Sequence, residues 1–330
     1  MNIPKQRPLY QLLTYAILVI LLAGALILLS QNQNNASNNS RTPDFLSSVT
    51  PTPYPLPTAA YDLLPLVTIA PGTIFEESNQ SIDPVRIEED GQQETKNEYL
   101  ALYSVEGYLP VDIQWWQQES KQIYEYVSKR LDTSLNGRVI VTFAPPEVIT
   151  CPARGRAFPE QRIVVILADE DTSKEQILGV LAHELGHIFI LNKHKNLKDR
   201  ALSEGMATWA AGDYWKEWKG FDFNSGVRNY INTGSYLPLF QNYDLEKAYD
   251  ENTPDCVAHR DILYTELASF LDYLIQNYGM ERLAVLFNVP QPETIDNKRI
   301  VYAPNYKDVY GLEFNQLEYE WLKTLLHPSQ

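Results

Sequence analysis

The chain has 330 residues, 44% hydrophobic and 21% charged, which is ample for one sizeable globular core. Its formal charge of −15 argues against nucleic acid and anionic lipid surfaces as partners, because both would be repelled.

Leu12 to Leu29 reads LLTYAILVILLAGALILL, 18 residues without a charge, preceded by Lys5 and Arg7. That length suffices to span a hydrocarbon core as a helix, with the basic residues on its N-terminal side. The polar SQNQNNASNN that follows offers no convincing small-x-small cleavage site. The expectation is a cytoplasmic tail over 1–11 and an uncleaved transmembrane signal-anchor over 12–29, rather than a removed signal peptide. Everything after residue 30 then lies outside the cytoplasm, tethered to the cell membrane by a single pass. Residues 30–59 are Asn-, Ser-, Thr- and Pro-rich, ending in TPTPYPLPT, and read as a disordered linker.

Residues 60–110 mix short apolar pieces with the acidic stretch IEEDGQQETKNE and read as a small β-rich or irregular accessory region. From there to residue 330 the pattern is that of one domain. Apolar residues at helical spacing predict a helix over 115–135. RVIVTFA (138–144) and RIVVIL (162–167) are short β-branched runs and predict strands, with APPEVITCPARGRAFPEQ between them as a loop. Thr172 and Ser173, followed by Glu175, open a helix expected over 173–191. Further helices are expected over 200–218, 262–278, 281–287 and 312–326. Strands first and helices afterwards make an α+β body. The two cysteines, Cys151 and Cys256, are far apart and in no C-x-x-C pattern, so one disulfide and two buried thiols both remain open.

The predicted helix over 173–191 carries the chemistry. Ile177, Leu178, Val180, Leu181, Leu185, Ile188, Phe189 and Ile190 leave almost no polar stripe, so the helix is buried nearly all round. Placing His183, Glu184 and His187 there is costly unless they are satisfied. One turn apart, His183 and His187 reach a single metal ion, while Glu184 faces a water on that ion. Two core histidines with a capping glutamate would leave Glu184 buried without an evident partner.

A catalytic zinc site has three protein ligands and one open position. The extended H-E-x-x-H-x-x-G-x-x-H pattern is excluded, because Ile190 stands where its glycine would be and Lys193 where its histidine would be, with His194 one place late. Asp199 precedes the next expected helix. Glu204, in LSEGMATWA, comes 17 residues after His187, enough for one helix to end and a second to present a carboxylate. Glu204 is the preferred third ligand.

HELGH followed by a helix carrying S-E-G-x-A resembles the gluzincin metallopeptidases, and among them the membrane-linked peptidase MA-like families. The resemblance covers roughly 139–287, including YTELASFLDYLIQNYG from Tyr264 to Gly279. It implies a zincin-like domain, a small mixed sheet followed by a helical part, holding one Zn2+ per chain. It implies a hydrolase in which Glu184 is the general base for a zinc-bound water. It further implies that RIVVIL is an edge strand pairing with an extended peptide, and that Tyr264 donates to the oxyanion. His259 is the second candidate for that donor, and Asp213 or Asp261 for orienting the ligating histidines.

The expected function is thus an extracytoplasmic, membrane-anchored zinc peptidase with peptide or protein substrates. The rival readings are an inactive peptidase-like domain that binds peptide or wall polymer, and a zinc hydrolase of non-peptide bonds. No G-x-S-x-G element, P-loop or dinucleotide fingerprint is present.

Overall fold

A computed structural model describes residues 74–77, 87, 91–248, 253–288, 293–295, 298–302 and 304–327. The expected tail, signal-anchor and linker over 1–59 lie outside the described residues. Among the described residues no helix is long and apolar enough to cross a membrane.

A five-stranded sheet backs the site. In chain order its strands are β2 (Gly91–Lys96), β3 (Leu100–Val105), β4 (Val139–Ala144), β5 (Gly155–Phe158) and β6 (Ile163–Leu167), arranged spatially as β2-β3-β4-β6-β5. The strands β3, β4 and β6 run parallel, and β2 and β5 flank them antiparallel. The sheet therefore takes in residues before 111, from the stretch expected to be accessory. Parallel neighbours need a crossover connection, and helix α1 (Ile113–Leu131) supplies it between β3 and β4. Its buried Trp116, Ile123, Tyr124, Val127 and Leu131 fall on one face, and Asp112 caps it by accepting the Trp115 amide at 2.8 Å. A separate three-stranded sheet pairs β1 (Ile74–Glu77) with β8 (Lys298–Tyr302) and β8 with β7 (Glu293–Ile295).

RIVVIL is not an edge strand, which corrects the expectation. All five residues of β6 are buried, and it pairs with β4 on one side and β5 on the other. The outer strand is β5, a four-residue GRAF inside the segment expected to be a loop.

Helices follow. α2 (Lys174–Lys193) is capped by Ser173 and α3 (Arg200–Lys219) by Asp199, whose carboxylate accepts the Leu202 amide at 2.7 Å. α4 (Phe223–Thr233), α5 (Leu245–Ala248), α6 (Cys256–Tyr278), α7 (Met280–Leu286), α8 (Tyr306–Tyr310) and α9 (Phe314–Leu326) complete the described elements. α2 and α3 pack at unusually short range. A Cβ added to Gly186 would lie 2.9 Å from Ala207 Cα and 3.0 Å from its carbonyl oxygen, so only glycine permits this crossing. Cys151 and Cys256 form a disulfide that ties the loop before β5 to the first turn of α6. Closing a loop of this size removes about 4–5 kcal/mol of entropy from the unfolded chain.

Two buried carboxyls hold the loop between α4 and α5. Glu318 on α9 accepts the Leu239 and Phe240 amides at 2.6 and 3.0 Å and the Tyr236 hydroxyl, while Glu266 on α6 accepts the Leu237 amide at 3.0 Å. Burial lifts the Glu318 pKa to about 7, against the donors that pull it down.

Gly186→Val is expected to destabilise the fold by about 1–3 kcal/mol in denaturant unfolding, despite a better helix propensity, because the helices cannot both keep their places. A second outcome concerns pH. An acid whose folded pKa is raised makes folding less favourable as pH climbs from about 4.3 towards 7. The unfolding midpoint should therefore fall more between pH 5 and pH 7.5 (about the limits of that window) in the parent than in Glu318→Gln.

Candidate metal and catalytic site

α2 presents His183 and His187 one turn apart, both beneath the sheet edge, and α3 presents Glu204 towards them. The two Nε2 atoms are 3.1 Å apart, and Glu204 Oε2 stands 3.2 Å from that of His183 and 3.3 Å from that of His187. The other ring nitrogens are occupied. His187 Nδ1 meets Ser203 Oγ at 3.1 Å and His183 Nδ1 meets Thr208 Oγ1 at 3.2 Å. With Nδ1–H donating to those hydroxyls, each Nε2 turns a bare lone pair towards the same point.

Three electron-pair donors facing one another repel unless a proton or a metal cation lies between them. A tetrahedral zinc ion with bonds of about 2.0–2.1 Å separates its ligand atoms by about 3.3 Å, which matches all three distances. The imidazole–imidazole–carboxylate set is also the one that zinc takes in catalytic sites. His183, His187 and Glu204 therefore fit the metal that the sequence implies. Among the described residues they are the one such cluster of His, Cys, Asp and Glu atoms.

Glu184 lies beside this cluster and is 6% exposed. Burial raises its pKa, with the two histidines opposing. In contrast, Glu204 is held well below the ordinary carboxylate range: burial pushes it up, but the two facing imidazoles outweigh that. The strand β5 crosses directly over Glu184. A Cβ at Gly155 would lie 2.6 Å from Glu184 Oε1 and 2.7 Å from Val180 Cγ1, so the glycine lets the sheet edge sit against the carboxylate.

These groups line a cleft of about 710 Å³ between β5, α2, α3 and α6. Tyr264 enters it from α6, its ring stacked on His183 with centroids 5.5 Å apart and planes 10° apart. His259 is absent from the cleft lining, and its Nδ1 lies 3.4 Å from Asp255 O within its own helix. Neither aspartate proposed to orient the histidines does so. Asp213 is exposed, and its amide donates to Tyr126 Oη at 2.8 Å. Asp261 accepts Arg154 at 2.5 and 3.0 Å and Lys219 at 2.7 Å. The hydroxyls of Ser203 and Thr208 take that place. Both are on α3, Ser203 next to Glu204 and Thr208 one turn beyond it, a spacing that was there to be read. Asp199 caps α3 and is not among the converging atoms. His194 ends α2 with its ring 4.8 Å from that of Phe287.

No family model and no curated protein matches the chain. Solved structures do. The M1 zinc metallopeptidase from Deinococcus radiodurans is 15% identical over 71% of this chain and 49% of that one, with a TM-score of 0.37. A mutant of that enzyme gives 16% identity, 70% and 49% coverage and a TM-score of 0.38. The mutant bound to a Tyr-Ser-Ala substrate gives 15%, 69%, 48% and 0.36. The chain spans about half the length of the structures that it matches. Likeness at that level decides nothing about function, so the site rests on its own geometry.

Zinc titration against a competing chromophoric chelator should give one site per chain. Glu204→Ala should lose it, and Ser203→Ala or Thr208→Val should weaken it by about 10–100-fold while the fold is retained.

Proposed function

We propose that the chain is a zinc-dependent peptidase of the gluzincin type, anchored in the membrane by residues 12–29 with its catalytic domain outside the cytoplasm. The observation that carries this reading is the convergence of two imidazoles and a carboxylate beside a buried glutamate, all under an open sheet edge. A pure binding module has no need of Glu184 in that place.

When bound between His183, His187 and Glu204, the metal supplies a Lewis acid that acidifies water and polarises a carbonyl. The remaining work falls to the chain. An extended peptide adds to the outer edge of β5, which pairs with no strand among the described residues, and main-chain hydrogen bonds fix its register. That places a scissile amide over Glu184, which accepts a proton from the attacking water and delivers it to the leaving amine. Burial raises the pKa of Glu184, which strengthens it as the base. Tyr264 donates its hydroxyl hydrogen to the oxyanion that develops on the carbonyl oxygen. Its stacking on His183 holds the ring at the metal side of the cleft.

Glu184→Gln should keep the metal and lower peptide turnover by at least about 10²-fold. Gly155→Val should also keep the metal but lose turnover by about 10²-fold, because the new side chain displaces Glu184 from its position. A proteome-derived peptide library with a chelator control measures both. Glu184→Gln turning over at the parental rate would sink this assignment.

A further inference from the structure

One end of the cleft gathers cations that neither hold the metal nor carry the transferred proton. Val180, one turn before His183 on α2, and Trp218 on α3 form its apolar floor and wall. Above them stand Arg154, at the entrance to β5, and Arg260, one turn before Tyr264 on α6. Lys219 closes the corner, with its Nζ 3.6 Å from the centre of the Trp218 ring and 2.7 Å from Asp261. Arg154 and Lys219 thus share one carboxylate, Asp261, and Arg260 stands near them on the cleft wall; counting Glu184, on which Arg260 also acts, these side chains carry about +1 in a chain whose formal total is −15.

The two arginines are differently placed. Arg154 is committed to Asp261 through both terminal nitrogens and lies over Trp218, 5.0 Å from the ring centre. Arg260 donates from Nη2 to Pro152 O at 2.8 Å, which fixes the guanidinium on the cleft wall. A guanidinium has five donors in a rigid fork, so that single contact leaves the fork the capacity to grip a carboxylate. Crowding these cations is unfavourable. Burial lowers the Lys219 pKa to about 8 against the pull of Asp261, and Arg154 and Arg260 both push it the same way as burial.

We propose that this end of the cleft is a carboxylate-binding subsite, with Arg260 as its principal donor, selecting peptides that present an acidic side chain or a free C-terminus there. The inference rests on the peptidase reading of the cleft and names the substrate class for it. An incoming carboxylate relieves the repulsion among the three cations and keeps its aliphatic stem against Val180 and Trp218. Lys or Arg at the same peptide position is repelled.

The test is binding without turnover. Labelled pentapeptides with Glu or Gln at each position in turn, each with a free or an amidated C-terminus, are titrated by fluorescence anisotropy into zinc-loaded full-length Glu184→Gln protein. The expected result is one position at which Glu binds about tenfold or more tightly than Gln, or a loss of that size on amidation. Those two arms tell the side chain from the terminus. The preference should shrink as salt is raised. Adding Arg260→Gln should abolish it, and Arg260→Lys, which keeps the charge but not the fork, should recover only part. A Glu-to-Gln ratio near one at every position and terminus would overturn the subsite, as would a preference that survives Arg260→Gln. Turnover of the same peptides by the parent is read separately. A carboxylate preference in binding with no peptide cut defeats the peptidase reading and leaves the subsite standing.

Discussion

The site depends on how closely α2 and α3 approach each other. His183 and His187 project from one helix and Glu204 from the next, and their nitrogen and oxygen atoms meet at 3.1–3.3 Å. Those distances exist because Gly186 puts no side chain between the helices, so Ala207 packs on bare backbone. The same close packing sets the Ser203 and Thr208 hydroxyls against the far side of each imidazole. One missing methyl group therefore fixes the candidate metal ligands and the hydroxyls set against them.

A second close approach lies between the sheet edge and α2. Gly155 lets the sheet edge rest on Glu184, which keeps the carboxylate out of bulk water, and among the described residues no strand pairs with the outer side of β5. Burial raises the pKa of two glutamates at short range, but in one of them the imidazoles outweigh it. Glu184 is pushed towards its protonated form, whereas Glu204, facing two imidazoles, is kept ionised. One carboxylate is suited to exchanging protons and the other to holding a cation.

Much of this was legible in the amino-acid order, for reasons that can be stated. α2 announces itself because its apolar residues encircle it, and polar groups inside such a helix need an explanation. The pairing of His183 with His187 follows from 3.6 residues per turn alone. What escaped was whatever tertiary contact creates. GRAF has no alternation to mark it, and β5 is a strand only because β6 pairs with it. α4 buries only Gly226 and Val227, too little for a periodic signal, although Asp222 and Gly234 cap its ends. The first turn of α6 has no side-chain cap and is held by the disulfide instead. Asp261 looked like a partner for a histidine, but Arg154, over one hundred residues earlier in the chain, reaches it first.

The disulfide joins positions 105 residues apart, and His183, Glu184, His187 and Glu204 all lie between them. An oxidised chain that has lost its tertiary structure still carries every one of these groups inside a single covalent ring. Their mutual effective concentration in that state exceeds that of the linear thiol form, as it does for any pair of groups enclosed by a cross-link. The thiol–disulfide balance of the surroundings thus bears on how readily an unfolded chain brings these groups back together, even though neither sulfur is among them.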